Sequence, residues 1–295
     1  MQNHTRTPII RDPLISYGVK PTDKVKRAKW NARDDLRTFT VNKPQKTCGA
    51  FAVRPLTWKT TNGYTYLDGI GYCNSTQSCP WCSPRKLAIK RKTVVEKAVN
   101  TIDHGGTVIY AVFTIAQIPK QHLGSRHKNL TKVTAVFRRK IKRLELQYGI
   151  YSSTRTTEET YSQGPGWHPH VNWLWYIKSE LPPKLLDKFA REAKSLWVES
   201  AKSARFIRTT ARAQSTKTIY ETDGARRTAE YSVKHSFYPL AKPIPDSDGK
   251  YRGLDPWEVL ELARRTGDVE WIILYNEFEM AIKRKRRVHH YLNRR

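Results

Sequence analysis

Apolar and polar positions along this chain follow two rhythms. The first has the period of a helix. Leu130, Val133, Phe137, Ile141, Leu144 and Tyr148 form one stripe, and Arg138, Arg139, Lys140, Lys142 and Arg143 fall between them, which predicts a helix packed on one side and charged on the other. Leu87, Val94, Val95, Ala98 and Ile102 recur in the same way after Ser83-Pro84, a pair that fits an N-cap followed by Pro at the first helical position. His104-Gly105-Gly106 ends that helix, and a further one is expected around 182–200 with Leu185, Phe189, Ala193, Leu196 and Trp197 inward.

The second rhythm is that of strands. The run from Val108 to Ala116 sits in a predicted buried strand over 107–116, and 151–161 and 167–177 are two strands joined by Gln163-Gly164-Pro165-Gly166, a hairpin signal. A strand near 216–221 precedes a helix from about 225, and Asp255-Pro256 and Asp268 mark two later helix starts with Gly267 between them. Strands and helices mix without regular βαβ alternation, so the expected class is α+β. Four segments follow: an irregular basic arm over 1–45, a cysteine-bearing module over 46–84, a core over 85–245, and a C-terminal helical segment over 246–295 whose tail from Lys283 is strongly basic.

Charge narrows the partners. The 295 residues carry 54 Lys+Arg against 26 Asp+Glu, a net +28, and such a surface attracts polyanions at long range. Nucleic acid is the expected partner, and the basic side of the 130–148 helix, with Arg138, Arg139, Lys142 and Arg143, is either a phosphate track or merely a solvated face. The first thirty residues show no apolar signal core. The longest apolar run falls far short of the roughly 20 residues that span a bilayer. The expectation is a cytoplasmic protein with no membrane partner.

All four cysteines, Cys48, Cys73, Cys79 and Cys82, lie within one stretch, the last pair as "CPWC". Four thiolates satisfy a closed tetrahedral zinc site that would fold a small loop-rich module. Disulfides and a redox Cys-x2-Cys pair are the competing readings; the first sits badly with a cytoplasmic chain and the second leaves Cys48 and Cys73 unexplained.

Two further clusters carry candidate chemistry. In "GWHPHVNWLW", His168, His170 and Asn172 share one face of a strand, and Trp167, Val171, Trp173 and Trp175 share the other. With a carboxylate from Glu158 or Glu159 on the preceding strand, those donors suit Mn(II) or Mg(II) completed by a phosphate oxygen; alternatively the histidines only hydrogen-bond on a polar sheet face. In "RRTAEYSVKHSFY", a helix would place Tyr231, Lys234, His235 and Tyr238 on one stripe and Ala229, Val233 and Phe237 on another. A tyrosine hydroxyl beside a lysine is a plausible nucleophile for phosphate, although a surface Tyr near a surface Lys is the commoner case.

Taken together, "CNSTQSCPWCSPRK", "YAVFTIA", "RTTEETYSQGPGWHPHVNWLW", "AEYSVK" and "LDPWEVLELARRTGDVEWIILYNEFEMAIKRKRR" resemble, in order, the segments of plasmid rolling-circle replication initiator (Rep) proteins of the HUH endonuclease superfamily. The resemblance runs from about Cys73 to the C-terminus. It implies a five-stranded antiparallel sheet flanked by helices, with the His170 strand central beside the Tyr231 helix. It also implies Tyr231 as nucleophile with Lys234 as its cationic partner, and His170 as ligand of a catalytic Mg(II) or Mn(II), with Glu158 a further ligand and His168 of less defined role. The implied reaction nicks single-stranded or extruded origin DNA, leaving a 5′-phosphotyrosyl enzyme and a free 3′-OH for a host helicase and polymerase to use. Two departures stand out. Asn172 occupies the place of the second metal histidine, and Arg227 the place where some relatives carry a water-activating Glu. A related transposase or relaxase is one alternative, though relaxases usually carry their tyrosine before the histidine motif. A non-enzymatic zinc DNA-binding protein with a degraded metal site is the other.

Overall fold

The computed structural model describes residues 24–61, 64–116, 118–119, 121–233, 243–283 and 285–293. Its elements are α1 (Lys24–Phe39), a short α2 (Lys43–Lys46), β1 (Ala52–Thr61), β2 (Tyr64–Ile70), α3 (Cys82–Asp103), β3 (Thr107–Phe113), α4 (Leu123–Gln147), β4 (Ile150–Ser162), β5 (Gly166–Ile177), α5 (Pro183–Ser203), β6 (Ser215–Ile219), α6 (Thr222–Ser232), α7 (Pro256–Thr266), α8 (Val269–Ile282) and β7 (Val288–Leu292). Five strands form one antiparallel sheet in the order β6-β3-β5-β4-β7, and β1 and β2 form a separate hairpin. The class is α+β, as the mixed patterning predicts. Among the described residues no helix is long and apolar enough to cross a membrane.

Strand alternation divides the core into layers. On one face of β5, Val171, Trp173, Trp175 and Ile177 pack with Phe137 and Ile141 of α4 and Phe189, Ala193 and Trp197 of α5. The rings interlock there: Phe113 stacks on Trp197 at 4.9 Å, and Trp175 meets Phe189 edge-on at 5.0 Å. On the other face, Leu174 and Tyr176 of β5 are covered by Val94 and Ala98 of α3 and by Ala225 and Ala229 of α6. The Tyr231 helix therefore belongs to the face that carries the even-numbered residues of β5, the face of His168, His170 and Asn172. A third apolar cluster joins Ala32 and Leu36 of α1 to Trp257 and Leu260 of α7 and Tyr275 and Phe278 of α8.

The structure departs from the sequence reading at several places. The stretch before residue 45, expected to be irregular, contains α1, whose Ala32 and Leu36 (i, i+4) are ordered by burial against α7 and α8. The cysteine module holds the β1–β2 hairpin. Helix α3 starts at Cys82 with Trp81 as its N-cap, and Ser83, expected in that role, is buried in the first turn with its N–H on the Cys79 carbonyl at 2.9 Å. Strand β3 stops at Phe113 because side chains take over its backbone: Gln214 Oε1 accepts from Thr114 N at 2.8 Å and Thr209 Oγ1 from Ala116 N at 3.0 Å. On α5 the inward position is Leu186, while Leu185 is 42% exposed. Finally, the basic tail supplies the edge strand β7. The two C-terminal helix starts are as expected: Asp255 accepts from Trp257 N and Glu258 N in a capping box, Gly267 ends α7 in the left-handed region, and Asp268 caps α8.

Candidate metal centre and tyrosine helix

The β4–β5 hairpin builds the candidate site. Gly164 and Gly166 turn the chain with φ of +91° and +82°, a region open to glycine without a Cβ penalty. The turn sets a register in which Glu158 stands directly opposite His170, Thr156 opposite Asn172 and Thr160 opposite His168. One carboxylate oxygen, Glu158 Oε2, lies 3.0 Å from His170 Nε2 and accepts from Asn172 Nδ2 at 3.1 Å. From β3, Tyr110 donates its hydroxyl to Asn172 Oδ1 at 2.8 Å. Glu158 and Asn172 are almost wholly buried, whereas His170 keeps 15% of its side chain exposed.

Two of these side chains, His170 and Glu158, bring potential ligand atoms together, whereas the group of three or more His, Cys, Asp or Glu ligands found among the described residues is that of the cysteines. Neighbouring ligands of an octahedron with bonds near 2.1 Å lie about 3.0 Å apart, the separation of His170 Nε2 from Glu158 Oε2. Glu159, the other carboxylate expected near the site, points to the opposite face, where it pairs with Arg287 at 2.6 Å and His127 at 3.1 Å. His168 shares the face of His170, with ring centroids 5.9 Å apart, but its Nε2 turns away to the Thr114 hydroxyl. Burial lowers the His168 pKa to about 4, helped by His170 and Arg126. The structure thus assembles Glu158, His170 and Asn172, and sets His168 apart.

Helix α6 brings Tyr231 to this face. Thr156 of β4, the residue opposite Asn172, donates to the Ser232 carbonyl at 2.6 Å and fastens the end of the helix. Arg91 of α3 pairs with Glu230 at 2.9 Å. Tyr231 is 52% exposed. It lies near Tyr110, whose phenol pKa is raised chiefly by burial, with Glu158 and Tyr231 adding to the shift. The helix ends at Ser232, and the rest of the expected stripe, Lys234, His235 and Tyr238 with Phe237, lies outside the described residues.

The four cysteines converge as expected. Their sulfurs all lie within 4.8 Å of one another, with Cys48 Sγ 3.7 Å from Cys79 Sγ and 3.6 Å from Cys82 Sγ. A tetrahedral zinc with bonds near 2.3 Å needs S···S edges of about 3.8 Å, so the cluster can hold a metal such as zinc. The backbone N–H groups of Cys73, Ser75 and Cys82 point at Cys48, Cys73 and Cys79 sulfurs at 3.4–3.5 Å, which suits thiolates. Hydrogen bonds from Cys73, Cys79 and Cys82 lower the Cys48 thiol pKa, whereas that of Cys73 is raised by its hydrogen bond to Cys48 and that of Cys79 by burial, so in the metal-free cluster the negative charge gathers on Cys48. Tyr275 of α8 donates to the Ser78 carbonyl and anchors the module to the C-terminal helices.

The basic stripe of α4 is not part of this site. It belongs to the sheet face opposite Tyr231. Arg138 is consumed structurally: it pairs with the buried Glu145, which also accepts from Trp175 Nε1 at 2.8 Å, and its guanidinium stacks on Tyr291 at 4.6 Å. Arg139, Lys142 and Arg143 are exposed there. Sequence reasoning passed over Tyr110 and Thr156. The only hint of Tyr110 was a hydroxyl inside the apolar run "VIYAVF". No family model matches this chain, and no curated protein or solved structure does so either.

Proposed function

We propose that the protein is a metal-dependent DNA strand-transferase of HUH type that initiates rolling-circle replication. Tyr231 attacks a phosphodiester of single-stranded or extruded origin DNA. The tyrosine O–P bond forms, the P–O3′ bond breaks, the phenolic proton leaves and the 3′ oxygen gains one, giving a 5′-phosphotyrosyl protein and a 3′-OH primer. His170 and Glu158 would hold Mg(II) or Mn(II), which polarises the phosphate when bound. Lys234 enters as the cationic partner of Tyr231 on the sequence resemblance alone. The observation that carries the reading is the register of β4 on β5, which sets Glu158 against His170 on the face covered by the Tyr231 helix.

The DNA backbone runs along the same face. Lys90 and Lys97 stand seven residues apart on α3, and Arg286 and His290 flank them from the β7 side. Burial and Arg286 lower the Lys90 pKa, and burial, Lys97 and Lys90 lower that of His290. Among the described residues none of the four is paired with a carboxylate. Lys90, Lys97 and Arg286 are cations crowded in a way that favours a bound polyanion, which would also ease protonation of His290. A second reading, a non-enzymatic DNA-binding protein, draws on one observation: the Asn172 carbonyl is already engaged by Tyr110.

The test is incubation of purified protein with a pool of random single-stranded DNA and Mn(II), followed by a denaturing gel. An adduct lost in Tyr231→Phe supports the nucleophile. An adduct that persists in Tyr231→Phe, or none on the native replicon's own origin strand, defeats the enzymatic reading.

A further inference from the structure

We propose that Asn172 orients Glu158 instead of ligating the ion, and that Tyr110 is the positioning residue that holds it there. This deepens the proposed function and rests on it.

An ionised carboxylate only accepts hydrogen bonds. With Glu158 Oε2 3.1 Å away, the amide of Asn172 must present its NH2 to the carboxylate. Its carbonyl, the atom a metal would bind, is thereby turned toward β3. Strand pairing sets Val112 opposite Asn172 and Tyr110 opposite Leu174, so Tyr110 is the diagonal same-face neighbour of Asn172, and its hydroxyl closes on Oδ1 at 2.8 Å. Turning the amide over would bring two acceptors together in a buried place. The chain of contacts is Tyr110 to Asn172 to Glu158, and Glu158 meets His170 at the same oxygen. Side chains that orient a ligand in this way typically carry about 10–100-fold of metal affinity. His170 and Glu158 would then be the two side chains that hold the ion, leaving room for phosphate oxygens and water.

The two roles for Asn172 make opposite forecasts for Mn(II) binding, measured on the zinc-loaded full chain by the loss of the free-ion resonance signal. We expect His170→Ala and Glu158→Gln to abolish binding. Asn172→Ala and Tyr110→Phe should each weaken it about tenfold, with the double variant no worse than either single, because the two act as one unit. Asn172→His should bind no tighter than the parent. The proposal is overturned if Asn172→Ala is as damaging as His170→Ala while Tyr110→Phe is silent, or if Asn172→His gains affinity. Zinc content and thermal melts identify any variant that fails to fold, and an intact Tyr110→Phe suffices alone, since only the orienting role makes it matter. A parent chain that binds no Mn(II) at all refutes the metal reading itself, an outcome distinct from these.

Discussion

His170 and Glu158 face each other across β5 and β4, Nε2 to Oε2 at 3.0 Å, while the next residue, Glu159, is buried on the far side of the same strand against Arg287 and His127. Adjacent carboxylates therefore make their contacts on opposite faces of the sheet, and the proposed function gives them separate duties. Glu158→Gln keeps the shape and removes the charge, and the rate of adduct formation with Mn(II) should fall at least about 100-fold while the fold survives, since an ion supplies several kcal/mol of transition-state stabilisation. Glu159→Gln should do the reverse. It strands Arg287, a change worth about 3–5 kcal/mol for a buried pair, and lowers the melting temperature, yet the folded fraction still forms the adduct. Single-turnover gels beside thermal melts would separate the two, and equal loss of activity from both would refute the division.

How much of this was legible follows from where the information lay. A carboxylate on β4 beside the His170 strand could be read because strand period and a Gly-rich turn are local properties, but those properties left Glu158 and Glu159 both open, and it is the register of the folded hairpin that sets Glu158 against His170. Asn172 was placed on the correct face for the same reason, but which end of its amide faces Glu158 depends on Tyr110, 62 residues away on another strand. Arg138 looked identical to Arg139 in the sequence; its capture by Glu145 and Tyr291 is a tertiary event. Strand β7, "VHHYL", was hidden because the flanking Lys and Arg residues mask a short alternation. Leu185 and Leu186 differ only in helical phase, which a stripe of apolar residues fixes to within one position.

The cysteine cluster makes the most direct prediction. Purified protein should contain one zinc per chain by elemental analysis, and Cys79→Ser, which removes a fully buried sulfur, should lose it. Strong chelation should lower the melting temperature, because a bound metal would hold the short loops that carry Cys48 and Cys73 to the start of α3. Four thiols that pair as disulfides and bind no zinc would contradict this.

The proposed route of DNA along α3 is testable through salt. Each lysine that neutralises a phosphate of single-stranded DNA adds about 0.7 to the slope of log K against log salt. Lys90→Ala with Lys97→Ala should therefore reduce the slope by about 1.4. Arg139→Ala, Lys142→Ala and Arg143→Ala together should leave it nearly unchanged, since those residues belong to the α4 side of the sheet. Fluorescence anisotropy without divalent ions measures both and is independent of cleavage. Equal reductions from the two sets would mean a diffuse basic surface and no track.

Glu279 is buried where α8 meets the chain beyond α1. Thr40 Oγ1 donates to its Oε2 at 2.5 Å, but burial outweighs that bond and raises the carboxyl pKa to about 7. The folded chain keeps the proton up to about pH 7, while the unfolded chain releases it near 4.5. Between those values the folded state binds more protons, so this group's contribution to stability falls as pH rises through the window. His168 and His289 act in the opposite sense: both are lowered to about 4, chiefly by burial, so their contribution falls as pH drops from 6.5 toward 4. The total curve mixes these, and the difference between variant and parent isolates Glu279. Glu279→Gln retains an acceptor for Thr40 and cannot ionise. It should melt close to the parent at pH 5 and several degrees above it at pH 8, with an upper bound on the order of 3 kcal/mol for the full shift. A difference in melting temperature that stays constant from pH 5 to 8 would show that Glu279 is ionised throughout and that its burial is offset by more than Thr40.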